Sequence, residues 1–179
     1  MAATVSDLWK LLAESKLLAP QHLRQLADEF AKANADAEAS ARSLAQWLVS
    51  HKAVTRYQAV VLLAGRSGPF FYGDYKVTDR LEQGALAGAF RATHLASGHP
   101  VLLRFLSGAM LSDAKAWEAA KRHSNDVAKI VSPYVQRHFD AVDSGKYKFF
   151  VSEDVRGSTL EETLKAGSLR RLRPAAWRG

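Results

Sequence analysis

At Arg66–Phe70, RSGPF, the spacing of hydrophobic residues changes. Before this point apolar side chains recur at three- and four-residue steps, and after it they alternate. A helical period cannot sit as a strand, nor a strand period as a helix. The chain must therefore combine an all-helical unit with a β-rich one, joined where Gly68-Pro69 breaks the helix and sets the next residues extended.

The helical unit covers residues 1–66. Ser6 is positioned to cap a helix carrying Leu8, Trp9 and Leu12 on one face. Pro20 suits the first turn of a second helix, with Leu23, Leu26, Ala27 and Phe30 along its stripe. Asp36 opens a third, with Leu44, Trp47 and Leu48, and Thr55 caps a fourth that Gly65 stops. Helices this short need each other's apolar faces, which predicts a small bundle with Trp9, Phe30 and Trp47 in its core.

Residues 67–73 read as a linker. Beyond it YKVTDRL, AFRATHL and VLLRFL are strand-like. Asp113–Ile130 reads as a helix capped by Ser112 or Asp113, YVQRHFDAV and KYKFFVSEDV form a hairpin around DSG, and STLEETLKAG is a short helix with Ser158 as its cap. The expected fold is α+β: a helical bundle, then a five-stranded antiparallel sheet with one main helix.

Composition narrows the classes of function. The net charge is +7, and four of the arginines fall in the last twelve residues. A nucleic-acid footprint needs basic residues gathered on one face with a readable motif, and the sequence offers neither. There is no cysteine, so a disulfide framework and thiolate zinc sites are excluded. The start, MAATVSDLWK, has no signal-peptide pattern, and AVVLLAG is far shorter than the roughly 20 residues of a membrane helix, so a cytoplasmic location is expected.

The order of three strands, helix, two strands and short helix, with these residues, resembles the N-terminal lobe of a Ser/Thr protein kinase. YKVTDRLEQGALAGAFRATHLASGHPVLLRFL is similar to the first three kinase strands, and SPYVQRHFDAVDSGKYKFFVSEDVRGSTLEETLKAG to the fourth and fifth strands, the hinge and the helix after it. KLLAPQHLRQLADEF and VTRYQAVVLLAGRSGPFFYGDY resemble the helical segment that precedes the kinase domain in planctomycete-type bacterial kinases. Residues 74–167 would then be a kinase-like lobe and 168–179 a basic, disordered tail.

The resemblance implies an ATP site between a glycine-rich turn, a third-strand lysine and the hinge. On that alignment the site residues are Gly84, Ala87, Arg104, Ser152, Glu153 and Val155, and the site is degenerate. Glu82 and Ala87 stand where two of three turn glycines belong, Arg104 stands for the lysine, Leu102 and Ala89 alter the adenine pocket, and His123 replaces the helix glutamate, with Asp126 or Glu118 as alternatives in a slipped register. No catalytic-loop aspartate or magnesium-binding motif follows. RHFD at Arg137–Asp140 falls in a strand, and DSG at Asp143–Gly145 in a turn. No catalytic or metal-binding residue is expected. The tail composition is that of a GC-rich gene read out of frame, which would make the chain the front part of an interrupted kinase gene.

Three functions compete at this stage. The chain is expected to be a non-catalytic, pseudokinase-like module that binds a protein, either itself or a full-length kinase. The alternative is an ATP-binding part of a kinase that a missing lobe completes. A nucleic-acid binder rests only on the charge and the arginine tail.

Overall fold

A computed structural model describes residues 4–34, 39–84, 86–106 and 113–167. The expected tail, Asp36 and Ser112 lie outside them. Four helices come first: α1 (Val5–Glu14), α2 (Pro20–Ala33), α3 (Ala41–Ser50) and α4 (Arg56–Leu63). Then follow β1 (Phe71–Tyr72), β2 (Tyr75–Arg80), β3 (Phe90–His94), β4 (Pro100–Phe105), α5 (Ala114–Ala128), β5 (His138–Asp143), β6 (Lys148–Glu153) and α6 (Leu160–Lys165).

Helix starts are set by side chains that accept the free amides of the first turn. Thr4, not Ser6, caps α1, because its hydroxyl accepts from Asp7 N–H while the Asp7 carboxylate accepts from Thr4 N–H. Ser40 and Ser43 form the same box on α3, and Thr55 and Gln58 form it on α4. Thr159 with Glu162 caps α6, one residue beyond the expected Ser158. Pro20 does occupy the first turn of α2, Asp113 caps α5, and Gly65 ends α4 at φ +77°.

These caps carry a pH dependence. Hydrogen bonds from the Thr4 hydroxyl and backbone N–H hold the Asp7 carboxyl below its ordinary 3.8. A lowered folded pKa adds stability that is present above the unfolded value and lost as pH falls through the folded one. Acid titration followed by circular dichroism is expected to fray α1 only below pH 3.8, with the Asp7→Asn variant losing that step.

The bundle core is built from Leu8, Leu12, Phe30, Leu44, Leu48 and Leu62, with Phe70 seated in the same cluster. Phe30 is buried edge-on between Trp9 at 6.4 Å and Trp47 at 5.4 Å, and both indoles are half-buried.

The sheet is antiparallel, in the order β1-β2-β3-β4-β6-β5. It has six strands where five were expected. The extra one, Phe71–Tyr72, falls in the stretch read as linker and pairs back onto β2 around Gly73, whose φ of +58° makes the tight reversal possible. Two residues are too few for alternation to show in sequence.

Register sorts β4 and β6 by face. Val101, Leu103, Phe149 and Val151 join Val77 and Ala92 in a second core. Leu102, Arg104, Phe150 and Ser152 lie on the other face, where α5 docks through Trp117, whose ring lies 5.7 Å from that of Phe150. Among the described residues no helix is long and apolar enough to cross a membrane.

Candidate functional site: the turn, the fourth strand and the segment after β6

The turn from Leu81 to Ala89 joins β2 to β3. Leu81 N–H donates to the Ala89 carbonyl at 2.8 Å, and Gly88 N–H to the Leu81 carbonyl at 2.7 Å. Ala87 N–H donates to Gly84 O at 3.1 Å, and Ala89 N–H to Leu86 O at 3.0 Å. Gly84 sits at φ +75° and Gly88 at φ +86°, a region open to glycine and costly for other residues. A phosphate-covering loop presents its amides outward. Here the amides of Ala87, Gly88 and Ala89 are turned into the turn itself.

Arg104 lies on β4 opposite Phe150, with its side chain exposed. The residues aligned with the helix glutamate do not face the sheet. α5 turns Trp117 and Ser124 inward, while His123 and Glu118 are exposed, and Asp126 pairs with Lys129 at 2.8 Å.

Ser152 and Glu153 close β6, and Val155 follows at 57% exposure. The Glu153 carbonyl accepts from the Gln136 side-chain amide at 2.7 Å, and Glu153 N–H donates to Arg137 O at 2.9 Å. The Ser152 hydroxyl lies 3.3 Å from the same Gln136 nitrogen. The Glu153 backbone groups, part of what a hinge would offer to an adenine edge, are thus held by the segment before β5.

Asp154 is the residue whose environment sequence reasoning missed. Its side chain is 1% exposed. Oδ1 accepts from Arg91 Nε at 3.2 Å. Oδ2 stands 2.7 Å from Arg156 Nη2, close enough for an ion pair but outside hydrogen-bond geometry. Arg91 also reaches Asp79 at 3.6 Å. The sequence Asp79–Arg91–Asp154–Arg156 therefore ties β2, β3 and the segment after β6 across the face that carries Leu102 and Arg104. Leu102 and Ala89 are both buried there. Gln136 and Arg91 gave no sequence signal. Asp154 gave one: a carboxylate closing the apolar run FFVSED.

Beside this network lies an open cleft of about 680 Å³, lined by Leu86, Val131, Tyr134, Val155 and Gly157 among others. Tyr134 is 94% exposed and Val131 81%, with Leu160 and Leu164 of α6 also exposed. RHFD falls at the start of β5, and Gly145 turns the following hairpin at φ +76°, as expected from the pattern. Among the described residues no group of three or more His, Asp and Glu is placed to hold a metal ion.

No protein-family model matches the chain.

Proposed function

We propose that the chain is a non-catalytic, protein-kinase-like module that acts by binding another protein. The order of strands and helices supports the kinase-like reading. One observation carries the non-catalytic part: the turn amides and the Glu153 backbone, which such a site would lend to a nucleotide, are engaged within the chain. The turn amides bond to the turn, and the Glu153 carbonyl to Gln136. Glu82 stands in the turn itself, where a carboxylate near the phosphates opposes their charge. Arg104 keeps a cation on β4 but lacks the compact ammonium of lysine.

The contact surface is the cleft around Tyr134 and Val155, both exposed apolar side chains. Its partner is a second copy of the chain or a full-length kinase.

Calorimetry with ATP, with and without magnesium, tests the reading. The expected result is no binding at millimolar nucleotide. Binding that weakens in Arg104→Ala would instead support the alternative, an ATP-holding part of a kinase. Light scattering across a concentration series is expected to show association that Tyr134→Ala abolishes. A strict monomer at high concentration that also retains no full-length kinase in a pull-down would overturn the partner claim.

A further inference from the structure

We propose that the capping box of α4 couples the helical bundle to the turn at 81–89, so that α4 sets the state of the turn. The proposal stands on geometry alone and does not rest on the kinase-like reading.

β1 is only two residues long, so beyond it the edge of β2 has no strand to pair with. At that point β2 bulges: register passes from Val77 opposite Ala92 to Asp79 opposite Arg91, leaving Thr78 as the extra residue. A bulge re-aims backbone groups out of the ladder, and a buried carbonyl without a donor is costly. α4 supplies both donors. Gln58 Nε2 donates to Val77 O at 2.8 Å, and Thr55 Oγ1 to Thr78 O at 2.6 Å.

The same two side chains cap the helix. Thr55 Oγ1 accepts from Gln58 N–H at 3.2 Å, and Gln58 Oε1 accepts from Thr55 N–H at 3.0 Å. Each side chain therefore uses its acceptor on the helix and its donor on the strand. Gln58 is 2% exposed, so water does not replace either bond cheaply.

α4 also holds the other leg of the turn. The Tyr57 ring meets Phe90, the first residue of β3, edge-on at 6.0 Å. Between these two grips α4 and the turn form a groove of about 440 Å³, lined by Tyr57, Val60, Leu81 and Glu82 among others. A change that tilts or unwinds the first turn of α4 moves both legs of the turn at once.

Two substitutions separate latch from cap. Gln58→Glu keeps an acceptor for Thr55 N–H and loses the donor to Val77. Thr55→Asp keeps an N-cap acceptor and loses the donor to Thr78. Amide hydrogen exchange reads the outcome: Leu81 and Gly88 report the turn, Ala59, bonded to Thr55 O at 2.9 Å, reports α4, and the amides of β4 report the sheet. The expected result is about tenfold faster exchange at Leu81 and Gly88, with Ala59 and β4 unchanged. Ser43→Ala, which weakens the α3 cap alone, should leave Leu81 and Gly88 as they are. Unchanged turn amides, or a rise matched at Ala59 or β4, would overturn the proposal. Should burial of the new carboxylate prevent Gln58→Glu from folding, Thr55→Asp at its half-buried position decides alone.

Discussion

Arg91→Met destabilises the chain by about 3 kcal/mol in urea unfolding, the lower end of the range for breaking a buried ion pair. The carboxylate it abandons is the reason. Asp154 has 1% of its side chain exposed, and its hydrogen bond comes from Arg91 Nε at 3.2 Å. Arg156 still reaches Oδ2, but with 67% of its own side chain in solvent it is a screened partner. Arg91 is itself 27% exposed, which further limits the loss. The double variant Arg91→Met, Asp154→Leu should recover most of the deficit, because a buried pair replaced by apolar groups of similar volume is often neutral. A single variant that costs under about 1 kcal/mol would mean that the pair is solvated and the segment after β6 is not held by it. The same substitution should loosen residues 154–157, since among the described residues only Arg91 links that segment to β3 through a hydrogen-bonded charge.

Much of this fold was legible because period survives without knowledge of contacts. The stripes of α1 to α4 and the alternation of β2, β3 and β4 are local, and Gly65 and Pro20 punctuate them by backbone geometry alone. Caps were less legible where several Ser, Thr and Asp residues compete. Ser158 with Glu161 and Thr159 with Glu162 both satisfy the box pattern, and only the backbone entering α6 selects the second. Thr4 and Ser6 compete in the same way at α1, and the box with Asp7 selects Thr4. β1 escaped because Phe71 and Tyr72 are a strand only by virtue of β2 beside them.

The strand positions of the candidate residues were legible, and their environment was not. Arg104, Ser152, Glu153 and Val155 could be placed from strand order. The network around them could not, because its partners are remote in sequence. Arg91 and Asp154 are 63 residues apart, and the Gln136 amide reaches Glu153 across 17. No local pattern encodes that Asp154 turns inward while Glu153 lines the strand. The Thr55 and Gln58 bonds to β2 likewise span 23 and 19 residues, although the cap that they also form was readable.

Phe149→Ala carries the largest expected cost, about 4 kcal/mol, for a large aromatic removed from a filled core. Phe149 is 1% exposed and lies within 4.9 Å of Phe105, 5.9 Å of Tyr75 and 6.4 Å of Tyr72, ring centre to ring centre. Those partners come from β4, β2 and β1, while Phe149 sits on β6. The ring cluster thus joins β1 and β2 to β4 and β6 over β3 between them, and it fixes where β6 delivers Glu153 and Asp154. Tyr134→Ala removes an equally aromatic side chain at 94% exposure and should change stability by no more than about 0.5 kcal/mol. The contrast separates two roles that composition cannot. If Tyr134 belongs to a contact surface, its loss spares unfolding and removes association. If Phe149 is the keystone of the second core, its loss lowers the unfolding midpoint and exposes residues 148–157 to exchange before the bundle opens. Equal stability effects for the two substitutions would contradict the burial that distinguishes them.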